Sequence, residues 1–158
     1  MPIFMLSLTV LAIIIHLLLM KQRSAQKTVE VILLYLLVIA VGGGALIAGL
    51  MHVFNGPATA LRIGWAAGSP FQYEVGVADV AFGVTCILCV FFRGSFWLAA
   101  IIANSIFLLG AMAGHVHDAL VSGNMAAYNI GPNIIFADLI MPLIMIGLYI
   151  AMVRLKDK

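Results

Sequence analysis

Apolar positions run along this chain in five stretches, at about residues 3–20, 29–53, 70–92, 96–119 and 132–153. Each is about 18–25 residues, enough to cross roughly 30 Å of hydrocarbon as an α-helix. Short polar segments separate them, so the pattern predicts an all-α membrane protein of one polytopic domain, residues 1–158. Two helix starts carry local signals. Ser69-Pro70-Phe71-Gln72 reads as a capping box, with Ser69 as N-cap and Gln72 at N3, and Gly131-Pro132 opens the last span. The segment 55–68 contains Leu61, Ile63 and Trp65, and predicts a short interfacial helix beginning at Pro57. Trp97 reads as an interfacial anchor at a span end.

Composition agrees: 65% of residues are hydrophobic, 9% are charged and the mean hydropathy is +1.20. A formal net charge of +2 gives no reason to expect a nucleic-acid partner. The basic residues instead predict topology. Lys21, Arg23 and Lys27 follow the first span, Arg93 follows the third, and Arg154, Lys156 and Lys158 close the chain, with Arg62 alone on the other side. By the positive-inside rule the N-terminus faces out and the C-terminus is cytoplasmic. The first apolar run lacks a basic n-region and a small-residue cleavage site, and is expected to be a span rather than a leader.

Helix periodicity sorts the remaining polar residues by face. Gly42, Ala45, Gly49 and His52 share one stripe of the second span, and Gly76, Asp79, Gly83 and Cys86 share one on the third. Small stripes allow membrane helices to approach closely. Asn104, Ala111, His115 and Asp118 share a face of the fourth span. Asp138 lies four residues before Pro142, which removes the hydrogen bond to the Asp138 carbonyl and predicts a kink there. Charge held in hydrocarbon is costly, so Asp79 and Asp138 are the foremost functional candidates. A structural hydrogen bond to Asn104, His52 or a free carbonyl is the alternative for both.

His52, Asp79, Asn104, His115, Asp118 and Asp138 form the candidate ligand-binding set. His115 and Asp118, three residues apart, could share a metal with His52 or an acid from a neighbouring helix, or simply lie in the outer interface. His52 and His115 match in depth, as two haem ligands would, yet a quinone or headgroup contact suits them equally. No dense ligand signature decides among quinone, metal and haem. His117 and Glu74 read as interfacial, and His16 likewise. Cys86 and Cys89 form a CxxC inside a span, where cysteines usually act as small hydrophobes. Asn124 and Asn129 lie in the loop that would roof the pocket.

From Glu74 to Asp118 the chain resembles the DoxX-like group of small bacterial and archaeal membrane proteins. The resembling features are Glu74 and Gly76 at a helix start, Gly83 within it, the Arg93-Gly94 turn and the His-bearing helix that follows. Trp97 and Gly131-Pro132 match a related set. The resemblance implies a four-helix bundle of the last four spans with the first added, in a cell membrane of the prokaryotic inner type. Some members of that group are subunits associated with quinone-linked sulfur oxidation.

The expected function is binding of a small molecule, lipid headgroup, quinone or ion in an outward-facing intramembrane polar pocket. The protein is expected to act alone, as a homo-oligomer or as a subunit of a membrane complex. A membrane oxidoreductase, a proton-coupled small transporter and a purely structural subunit are the alternatives. Five spans without an internal repeat count against a transporter.

Overall fold

A computed structural model describes residues 2–156, and of the side chains those of residues 4–155. It is helical throughout, with no strand among the described residues. Helix α1 covers Pro2–Leu19, α2 Ala25–Phe54, α3 Gly56–Ile63, α4 Phe71–Leu88 and α5 Ser95–Ser122. A single turn, α6 (Ala127–Ile130), precedes α7, which runs over residues 132–156. Helices α2, α4, α5 and the last helical stretch are long and apolar enough to cross a bilayer, and α1 is the shorter fifth. Four membrane-length helices plus an N-terminal one therefore form the expected helical membrane bundle. Its connections place Lys21, Arg23 and Arg93 at one end, here the basic end. Residues 55–70 and 123–131 close the opposite, polar end.

The most extensive helix contact is between the second half of α2 and α4, which run antiparallel. Glycines permit it. A Cβ on Gly49 would lie 2.6 Å from the Gly76 carbonyl oxygen, and one on Gly76 would lie 2.9 Å from that of Gly49. Seven residues along each helix the arrangement repeats, with a Gly83 Cβ only 2.9 Å from the Gly42 carbonyl oxygen. The two small-residue stripes therefore face each other, backbone against backbone. Gly43 serves α1 in turn, because a Cβ there would collide with Met5.

Two helices depart from α geometry. In α2, Leu36–Gly43 is π-helical and ends in the run Gly42-Gly43-Gly44, whose residues hold helical geometry weakly. In α7, Ile135–Ile140 is π-helical and ends just before Pro142. The Met141 N–H reaches the Phe136 carbonyl, five residues back. Proline thus produces a widened turn around Asp138, where the sequence predicted a kink. Such turns are frequent at functional sites.

Two local expectations are corrected. Gln72 does not close a capping box: the Phe71 N–H donates to Ser69 Oγ at 3.2 Å, while the Gln72 side chain crosses to His52. Trp97 is not an interfacial anchor but a core residue, 1% exposed, packed among Leu33, Leu37, Cys86, Ile101 and Met145. Its indole N–H donates to the Cys89 carbonyl at 2.9 Å, supplying a donor that the end of α4 lacks. His16, expected at an interface, has its Nδ1 3.1 Å from the Tyr35 hydroxyl. The helix over 56–63 does form, with Pro57 in its first turn, and an αL glycine, Gly64, ends it.

The glycine contact yields a stability test. Gly49→Ala meets immovable backbone and is expected to cost about 1–3 kcal/mol, as overpacking does. Gly147→Ala, where a Cβ meets nothing within 4 Å, should be neutral or stabilising. Unfolding in detergent micelles measures both; equal stabilities would remove the close approach from the account of the fold.

Candidate functional site

The polar end is assembled from segments far apart in sequence. Helix α5 continues one turn beyond its expected end, to Ser122, and carries His115 and Asp118 into this region. Asp118 Oδ2 accepts from Trp65 Nε1 at 2.9 Å and from Asn124 Nδ2 at 2.7 Å. The same Asn124 nitrogen donates to the Ile63 carbonyl at 2.9 Å, and its Oδ1 accepts from the Ala126 N–H at 3.1 Å. Gly64, at φ 87°, lets Asn124 come this close, because a Cβ there would overlap the amide. One asparagine thus ties the loop after α5 to the end of α3.

Asn129 is fully buried and makes a second tie. Its Nδ2 donates to the carbonyls of Asn124 at 2.8 Å and His115 at 3.4 Å. Two carbonyl acceptors fix the amide orientation, since neither can donate. Asn129 Oδ1 must then be the group 2.7 Å from His115 Nδ1, and that nitrogen carries the hydrogen. The other ring nitrogen, Nε2, faces Asp138 Oδ2 at 3.8 Å, within ion-pair range but longer than a hydrogen bond. Both side chains are nearly buried. Asp79, on α4, lies within electrostatic reach of Asp138.

Trp65 joins the two groups. Its ring stacks on His115 with centroids 5.8 Å apart and planes at 17°, and Phe71 meets it edge-on. In front of the indole lies an open cleft of about 740 Å³, lined by Trp65, Ser69, Phe71, Gln72, Asp118 and Asn124 among others. His52 is held apart on the α2–α4 contact, its Nδ1 2.8 Å from Gln72 Oε1.

Of the six candidate residues, the structure brings His115 within reach of both Asp118 and Asp138, and Asp138 within reach of Asp79. His52 reaches the cleft through Gln72, one of its lining residues. Asn104 sits elsewhere: eleven residues from His115, about 16 Å along α5, it donates to Cys86 Sγ at 3.2 Å and to the Ala100 carbonyl. That is polar glue between α5 and α4. Among the described residues no three His, Cys, Asp or Glu side chains converge to hold a metal ion, so His52, His115 and Asp118 do not form one ligand set. Cys86 and Cys89 are free thiols buried in the core. His117 and Glu74 are exposed.

Trp65, Gln72 and Ser69 are cleft residues that spacing alone did not single out. The available signal for Trp65 was an indole N–H, which needs an acceptor wherever it is buried.

Fold and site together define a polytopic helical membrane protein whose polar side chains converge at one end. The chain belongs to the family of unknown function DUF6790, whose model matches residues 1–158. No curated protein and no solved structure matches it.

The fixed Asn129 amide gives a direct spectroscopic expectation. In ¹⁵N-histidine spectra His115 should show a protonated Nδ1 at neutral pH, and Asn129→Leu should release it to exchange between tautomers. A His115 with bare Nδ1 in the unaltered protein would refute the assignment.

Proposed function

We propose that the protein is an integral membrane binding protein that takes a small polar molecule into the cleft at its polar end. That end faces out of the cell, by the distribution of Lys and Arg. The observation that carries the reading is the cleft itself. Its volume falls in the range of small-molecule sites, and it combines aromatic walls with a few fixed polar groups. Hydrogen bonds to Asp118 and Asn124 hold those groups in place before any ligand arrives. Preorganisation of this kind lowers the ordering cost of binding. Service as a subunit of a larger membrane complex is compatible with the same cleft.

One observation favours a second reading, proton-coupled movement of the ligand. His115, stacked behind the cleft residue Trp65, lies 3.8 Å from Asp138, which in turn acts electrostatically on Asp79. Titratable chains of this type mark proton pathways in membrane proteins. The oxidoreductase reading would place a quinone in the cleft, against its aromatic walls Trp65 and Phe71. Kinship with the DoxX-like group belongs to the same proposal. Two of its features, Gly76 and Gly83, are required here by close packing alone, so the likeness would speak for a shared bundle rather than a shared activity.

Native mass spectrometry of the gently extracted protein should show a small-molecule adduct of one per chain. Trp65→Ala should lower its occupancy at least about tenfold, the loss of about 1.4 kcal/mol of binding. An adduct indifferent to Trp65 would place the ligand elsewhere. If the coupled reading holds, Asp138→Asn should retain the adduct yet abolish pH-driven uptake into proteoliposomes; uptake that survives Asp138→Asn would eliminate that reading.

A further inference from the structure

We infer that the cleft takes an organic ammonium group, seated between the Asp118 carboxylate and the aromatic walls formed by Trp65 and Phe71. This rests on the binding reading above and gives it a ligand class. Charge is the first reason. Asp118 is the sole ionisable residue among those lining the cleft. Its hydrogen-bond donors are Trp65 Nε1, Asn124 Nδ2 and the side chain of Ser122, all neutral, so they spread its charge without cancelling it. No described Lys, Arg or His forms an ion pair with it; Arg62, on α3, is exposed and makes none. Within the lining the charge of Asp118 is therefore uncompensated, while His115, stacked on Trp65, bears on it from outside the lining.

Shape and chemistry of the walls are the second reason. Trp65 is clamped by its stacking on His115, and Phe71 is half exposed beside it. Aromatic faces attract cations through the ring quadrupole, most strongly for a poorly hydrated cation such as a substituted ammonium. A divalent metal would instead require several oxygen ligands at short range, and the cleft offers one carboxylate with no second acid or histidine converging on it. The same reasoning disfavours anions, which would meet Asp118 with no compensating cation. The ammonium can arrive in two ways: on a free small molecule, or on the choline or ethanolamine headgroup of a lipid. Exposed Phe54, Leu120 and Val121 at this end supply apolar surface beside the cleft for the second case.

The test uses the full chain in dodecyl maltoside and reads Trp fluorescence. Trp65 is partly exposed, whereas the other tryptophan, Trp97, is buried in the distant core. Choline and its uncharged isostere 3,3-dimethylbutan-1-ol are titrated in parallel. Choline should bind at least about tenfold more tightly than the isostere, and Asp118→Asn should bring it down to the isostere's level. Phe71→Leu should weaken choline by about three- to tenfold while leaving the isostere little changed. Should Asp118→Asn fail to fold, the choline-to-isostere ratio in the unaltered protein decides alone. In nanodiscs of phosphatidylcholine the choline response should vanish if a headgroup occupies the site, and persist if the ligand is free; phosphatidylglycerol nanodiscs give the unoccupied reference. Equal binding of the isostere, or binding of acetate instead, would overturn the ammonium assignment and leave the cleft reading standing. No response to any of these probes, in a protein that also lacks a Trp65-dependent adduct, would overturn both.

Discussion

Everything at the polar end depends on how closely α2 and α4 approach. At Gly49 opposite Gly76, and at Gly42 opposite Gly83, main chain meets main chain with no side chain between. Membrane helices gain nothing by hiding apolar surface from lipid, so dispersion contacts of this sort carry much of their association. The approach also fixes the separation of the residues just beyond it. His52 and Gln72 sit at the top of this contact at hydrogen-bonding distance, 2.8 Å. Gly56, beneath the Gln72 side chain, anchors the start of α3 there. That helix then delivers Trp65 across the end of the bundle to Asp118, 53 residues further along the chain.

The second constraint is polar satisfaction in a medium without water, where an unpaired donor or acceptor costs several kcal/mol. At the basic half of the bundle Trp97 pairs with the Cys89 carbonyl, Asn104 with Cys86 and the Ala100 carbonyl, and His16 with Tyr35, while among the described buried side chains Ser105 Oγ lacks a partner. Those groups are spent on holding helices together. At the polar end Asn124 and Asn129 are equally spent, each bridging several main-chain or side-chain groups. What they hold in place is less fully satisfied. The His115 Nε2 and Asp138 carboxylate stand at 3.8 Å, close enough to interact and too far to bond.

Much of the fold was legible in the sequence because hydrocarbon imposes a length and a composition on every span. The stripes at Gly42/Gly49 and Gly76/Gly83 were readable for a similar reason: a seven-residue repeat of small residues is a helix face. The start of α3 at Pro57 and of the last helix at Pro132 were readable from proline geometry. The failures share a cause as well. Trp97 and Gln72 were assigned by local rules, and each was claimed by a partner on another element: the Cys89 carbonyl and His52. Periodicity reports which face a side chain is on, not what stands opposite. Trp65 was invisible as a site residue for that reason, and Asn104 was grouped with His115 by face although 16 Å of helix rise separates them.

Placing Asp138 on a π-helical turn connects these two constraints. A regular α-helix spaces its side chains at about 100°, and Pro142 denies the Asp138 carbonyl its usual donor. The widened turn over Ile135–Ile140 shifts the hydrogen-bond register by one residue and changes the direction in which Asp138 points. Its carboxylate thereby faces His115 on α5, whose own ring is fixed from the other side by Asn129. Neither partner can relax toward the other without disturbing a buried amide or a proline-bounded turn. The 3.8 Å spacing of this acid–imidazole pair is thus set by what surrounds it, a buried amide on one side and a proline-bounded turn on the other, rather than by the attraction of the two groups for each other.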